Sequence, residues 1–140
     1  MKIPQIWVKI AVALIIVAGF AACDVIGTVV DLSNTQTLVT GMHVSGPGTI
    51  TVITGGAIHN VPLESFESIT LFPDETRTIN GEPCYAADVY FKDGTRMAPR
   101  DKTHNNSPQT FVSVNATIMG RSNRGNFSAE LTNVTKITFR

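Results

Sequence analysis

The sequence predicts an all-β fold: an antiparallel β-sandwich or small, partly closed barrel, following an N-terminal signal or anchor helix. Three observations carry this. After residue 23, Gly, Pro and Asn interrupt the chain about every ten residues, and the runs between them alternate and are rich in Val, Ile and Thr. Tight-turn dipeptides separate several of these runs. One apolar pattern also recurs 68 positions along the chain, at Leu63 and Leu131.

The N-terminal segment comes first. Lys2 and Lys9 precede an uncharged apolar run, Ile10 to Ala22, which stops at Cys23 and is followed by Asp24. A basic start, an apolar stretch and small closing residues are the parts of an export signal. A membrane-spanning helix needs about 20 apolar residues, more than this run supplies unless Lys9 snorkels. Residues 1–22 are therefore read as the signal peptide, and residues 23–140 as one all-β domain.

Phe20-Ala21-Ala22-Cys23 resembles the lipobox of bacterial lipoprotein precursors. Phe20 stands where that class usually has Leu or another aliphatic residue. The resemblance implies that the Cys23 thiol receives diacylglycerol and that the signal is cut just before it. The protein is then held on the exported side of a membrane, in the cell envelope. Asp24 resembles the residue that retains such proteins in the inner membrane of enteric-type diderms. An uncleaved N-terminal anchor and ordinary signal cleavage after Ala21 are the other readings of the same residues.

The only Trp, Trp7, lies in the signal, so the domain builds its core from Val, Ile, Leu, Phe and Tyr. Lipid on Cys23 leaves Cys84 alone, in the strand-like stretch Cys84 to Tyr90. That cysteine reads as a small buried apolar side chain. A Cys23–Cys84 bridge arises only if Cys23 carries no lipid.

Along the domain, Gly55-Gly56, Asn80-Gly81 and Asp93-Gly94 join strand-like runs as hairpin turns, because these residues tolerate positive φ. Ser122 to Asn126 reads as a fourth, longer turn. Pro99 to Pro108 is polar and reads as an exposed loop, the best place for a functional segment. Leu63-Glu-Ser-Phe-Glu-Ser-Ile-Thr-Leu71 lines up with Leu131-Thr-Asn-Val-Thr-Lys-Ile-Thr-Phe139. In each copy the first apolar spacing is three and the last is two. Each thus reads as a strand end, a short turn with its Leu tucked inward, and a new strand. Two pseudo-symmetric β units follow from this alignment.

Charge is unevenly spread. Asp24 to Phe91 carries eight acids against Arg77, whereas Lys92 to Arg140 carries eight bases against three acids. Either the second half offers a basic face to an anionic partner, or the halves pack together and neutralise each other. The candidate ligand-binding residues are Arg96, Arg100, Lys102 and His104 in the loop, with Arg121 and Arg124 beside the fourth turn. They would suit an anionic glycan, a lipid headgroup or an acidic protein surface. Nucleic acid does not suit an exported address.

His43, His59 and His104 lack zinc-ligand spacing, and no nucleophile elbow or phosphate-cradling loop is present. No catalytic, metal or cofactor residue is assigned. Four Asn-x-Ser/Thr sequons begin at Asn105, Asn115, Asn126 and Asn133. The leading expectation is a lipid-anchored envelope protein whose β domain binds a protein or glycan. An assembly subunit of a membrane complex is the second reading. A small envelope hydrolase or inhibitor is the third.

Overall fold

The computed structural model describes residues 24–46 and 48–140. The expected signal helix and Cys23 lie outside these residues. The strands are β1 (Gly27–Asp31), β2 (Gln36–Val44), β3 (Thr49–Thr54), β4 (Ala57–Pro62), β5 (Phe66–Ile79), β6 (Glu82–Phe91) and β7 (Arg96–Met97). They continue with β8 (Arg100–Asp101), β9 (Ser107–Pro108), β10 (Thr110–Ser113), β11 (Thr117–Ser122), β12 (Gly125–Glu130) and β13 (Val134–Phe139).

Eleven strands form one curled antiparallel sheet, a half-barrel, in the order β12-β11-β2-β1-β13-β5-β6-β10-β3-β4, with β7 beside β6. The loop strands β8 and β9 pair only with each other. The all-β expectation holds. The strands follow one continuous path, so the curled sheet stands in place of two facing sheets.

The turn chemistry explains the hairpins. Gly55, Gly56, Asn80 and Gly81 all adopt positive φ, as two-residue turns that match strand twist require. The fourth turn is tighter than its sequence predicts. Ser122 pairs directly with Gly125, leaving only Asn123 and Arg124 in the turn. Between β1 and β2 a further turn forms at Leu32 to Thr35. There the Asp31 carboxylate accepts the N–H groups of Ser33 (2.9 Å) and Thr35 (3.0 Å).

The aligned segments adopt the same local path. Leu63–Ser65 and Leu131–Asn133 are single 3-10 turns, and Leu63 and Leu131 are both buried. The hairpins before them match too. Thr49↔Pro62 through Thr54↔Ala57 corresponds, 68 positions on, to Thr117↔Glu130 through Ser122↔Gly125. Strands β5 and β13 meet each other at Ser68↔Thr138, Ile69↔Ile137 and Thr70↔Lys136. A 68-residue shift carries this ladder onto itself, with Ile69 facing its own counterpart.

The main core lies on the inner face. Phe66 stacks between Phe91 (5.5 Å) and Phe139 (5.9 Å), surrounded by Ile69, Ile137, Leu63, Leu131, Val89 and Val134. Burial of such side chains contributes roughly 1.5–3 kcal/mol each. A smaller cluster, Ile53, Cys84, Ala86 and Phe111, lies on the opposite face. Alternation explains the division: Val52, Tyr85 and Val112, each next in sequence to one of these residues, belong to the main core.

Strand β2 turns the sheet's corner. Its first half, Gln36–Val39, pairs with β1, and Thr40–Val44 pairs with β11. Gly41, at φ 58°, sits at the crossing. Opposite it the backbones come so close that a Cβ on Gly120 would lie 2.8 Å from the Thr40 carbonyl oxygen. Only glycine fits there without displacement.

Candidate functional site

The predicted basic loop is built into the body of the domain. Its two short strands pair Arg100 with Pro108 and Asp101 with Ser107. The buried Thr110 ties its base to the sheet, donating from Oγ1 to the Ala98 carbonyl at 2.6 Å. Lys102 to Asn106 form its exposed tip, where Asn105 and Asn106 take positive φ.

Most of the loop's positive charge is engaged within the domain. Arg96 donates from Nε and Nη2 to the two carboxylate oxygens of Asp88, each at 2.9 Å, and lies over the Tyr90 ring. The Asp88 hydrogen bonds hold this guanidinium still more firmly in its charged form. Arg100 pairs with Glu75 and donates to the Asn106 carbonyl at 3.1 Å. His104 Nδ1 meets Asp101 Oδ2 at 2.8 Å. The Thr103 hydroxyl and N–H are the main reason the Asp101 carboxyl lies below its ordinary range. Arg96 and Arg100 thus join the basic half to acids of the first half, as the neutralising reading expected. Lys102 remains at the exposed tip, with no ion pair among the described residues.

Arg121 and Arg124 behave differently. They lie at the end of the β11–β12 hairpin, and neither has an acidic partner among the described residues. With Gln36, Thr37, Leu38, Thr40, Ser122 and Asn123 they line a groove of about 500 Å³. Arg121 stands opposite Thr40 across the β2–β11 ladder, which places the hairpin end beside the first half of β2. Leu38, 46% exposed, supplies an apolar spot among hydroxyls and amides.

The two sets of predicted residues do not meet. Asp101 and His104 line a separate depression next to Gly55 and Gly56, at the end of the β3–β4 hairpin. That hairpin is the 68-shifted counterpart of β11–β12, so the sets sit at corresponding but distant ends of the sheet. Sequence reasoning missed Gln36, Thr37, Leu38 and Thr40 as groove residues. Their only local signal is alternation on an exposed strand, and their neighbour lies some 80 residues away in the chain.

Cys84 is fully buried, and burial raises its thiol pKa above the ordinary value. Its Sγ–H points to the Glu82 carbonyl at 3.5 Å. This is the packing role expected from the sequence. Among the described residues no group of three or more His, Cys, Asp and Glu side chains is placed to hold a metal ion. No helix among them is long and apolar enough to cross a membrane.

No protein-family model, curated protein or solved structure matches the chain.

Proposed function

We propose that this protein is a lipid-anchored envelope component whose half-barrel is a binding module for an acidic glycan. The aligned segments are read as two copies of one β unit, and the groove at the second copy's hairpin is the glycan site. One observation carries the reading: Arg121 and Arg124 share a groove with hydroxyl and amide groups and have no acidic partner among the described residues.

The chemistry follows from the lining. A guanidinium offers a planar fork of donors that matches a carboxylate or sulfate. The hydroxyls of Thr37, Thr40 and Ser122 and the amides of Gln36 and Asn123 both donate and accept, as sugar hydroxyls demand. Leu38 gives the C–H face of a sugar ring a place to rest. Cys23, directly before the described domain, supports the anchor.

Titration calorimetry with an oligouronate and its neutral counterpart tests the glycan reading. Salt-sensitive binding of the charged sugar alone is the expected result. Equal binding of both sugars, or of neither, rejects it. Intact-mass measurement of membrane-extracted protein tests the anchor. A chain starting at Cys23 with added acyl mass supports it, and an unmodified Cys23 rejects it.

A further inference from the structure

Given the anchor and the glycan groove proposed above, on which this rests, we infer the source of the acidic sugar: it is the headgroup of a glycolipid in the same membrane that carries the protein. The position of the groove relative to the start of the domain points to this source. Val25 packs against the main core, and its carbonyl accepts the Met42 N–H at 2.9 Å. The Ile26 carbonyl accepts the Arg140 N–H, also at 2.9 Å. The backbone is thus fixed to the sheet from Val25 onward, and a single residue, Asp24, separates it from Cys23. Asp24 lies beside β2, its carboxylate 3.7 Å from where a Cβ on Gly41 would stand. The residue before Gly41, Thr40, faces Arg121 across the β2–β11 ladder, and its hydroxyl donates to the Arg121 carbonyl at 3.5 Å. Peptide and cross-strand spacings therefore place Arg121 within about 15 Å of Cys23.

From that end the groove leads away. β1 runs outward from Gly27, and β2 returns beside it, with Gln36 opposite Val30 and Val39 opposite Gly27. The groove follows β2 from Thr40 back to Thr35, about 17 Å of extended chain. β11 runs antiparallel to β2, so the turn bearing Arg124 lies further from Asp24 than Arg121 does. With lipid on Cys23, Arg121 is held close to the headgroup layer and Arg124 above it. A sugar chain bonded to a lipid enters such a groove from the membrane end, where a long soluble polymer would meet the bilayer. The Asp24 carboxylate pairs with neither arginine, which leaves both guanidiniums for acidic groups of the sugar. Confinement to one membrane also raises the effective concentration of the headgroup around the groove.

Hydrogen exchange of the full-length mature protein, extracted with its lipid and reconstituted in phosphatidylcholine vesicles, tests the source. The probe is a diacylglycerol bearing a diglucuronic acid headgroup, compared with soluble diglucuronate. The lipid-borne sugar should protect the amides of Thr37–Thr40 and Arg121–Arg124. Its half-saturating bulk concentration should be at least about tenfold lower than that of the soluble sugar. A flexible Gly-Ser insert of about ten residues between Asp24 and Val25 should erase most of that advantage while leaving soluble-sugar binding unchanged. Arg121→Ala should weaken both forms about tenfold. Equal half-saturation by the two forms would overturn the membrane source and leave the glycan reading standing. Equal protection by phosphatidylglycerol in place of the glycolipid would overturn it as well, since surface charge alone would then suffice. Protection by neither sugar would overturn both readings. An intact mass showing unmodified Cys23 in the same sample would remove the anchor, and this source with it.

Discussion

The segments 49–71 and 117–139 share a backbone path but differ in what they show to solvent. Inside, the matched positions are apolar in both: Ile50 and Ile118, Leu63 and Leu131, Phe66 and Val134, Ile69 and Ile137, Leu71 and Phe139 are all buried. On the outer face, Ile53, packed into the small cluster, corresponds to the exposed Arg121, and the exposed Gly56 to the exposed Arg124. The strands that follow also differ. β5 bulges after Phe72 and runs on to Ile79, whereas β13 stops at Phe139. That extension carries Arg77 over the Phe111 ring and packs Ile79 against the small outer-face cluster. The lesson is physical: the buried pattern sets the framework, and exposed positions are free to give each half a different surface.

The comparison can be broken most strongly in the core. Phe66→Ala should cost about 3–5 kcal/mol, because its ring fills the space between Phe91 and Phe139. At the matched position Val134→Ala removes less volume and should cost about 2 kcal/mol. Denaturant unfolding of both variants checks this, and equal losses would contradict the unequal packing described. Next comes the corner. Position 120 is Gly where the first half has the buried Val52, since β2 presses on β11 there. Gly120→Ala should cost about 1–3 kcal/mol in the same measurement.

The remaining tests concern surfaces. Arg121→Ala and Arg124→Ala should each weaken oligouronate binding about tenfold, with stability unchanged within about 0.5 kcal/mol. Parent-like affinity would show that the halves do not differ in the way proposed. The smallest effect lies at the turn after β6. The Thr95 hydroxyl, and then its N–H, hold the Asp93 carboxyl below its ordinary range. A lowered folded value means that this stabilisation is complete above the unfolded value, about 3.9, and fades as pH falls through the folded one. Thr95 amide exchange should show added opening only below that range, after correction for intrinsic pH dependence, and Asp93→Ala should remove the dependence.

Local features were legible in the sequence, while long-range partnerships were not. Gly55-Gly56 and Asn80-Gly81 mark turns because few other residues tolerate their backbone angles. The buried Leu63 and Leu131 were readable because a change of spacing from three to two records a turn becoming a strand. The pairing of β2 with β11 left no such trace. It depends on which exposed edges meet after the chain has curled, and nothing near Thr40 or Arg121 names the other. The loop arginines illustrate the same limit. Four neighbouring basic or titratable residues, Arg96, Arg100, Lys102 and His104, resembled one binding patch. Asp88, Glu75 and Asp101 engage three of them. The other two candidate arginines, Arg121 and Arg124, have no ion pair among the described residues and lie elsewhere.

Strand order has a kinetic consequence. β1 and β2 from the beginning of the domain pair with β13 and β11 from its end, and β10 pairs with β3 across more than fifty residues. Neither half can complete its share of the sheet before the other arrives. Loop closure must therefore precede most of the stabilising contacts, which predicts slow folding for a domain of this size. Assembly and unfolding should each be a single cooperative event, with no independently stable half-domain at equilibrium.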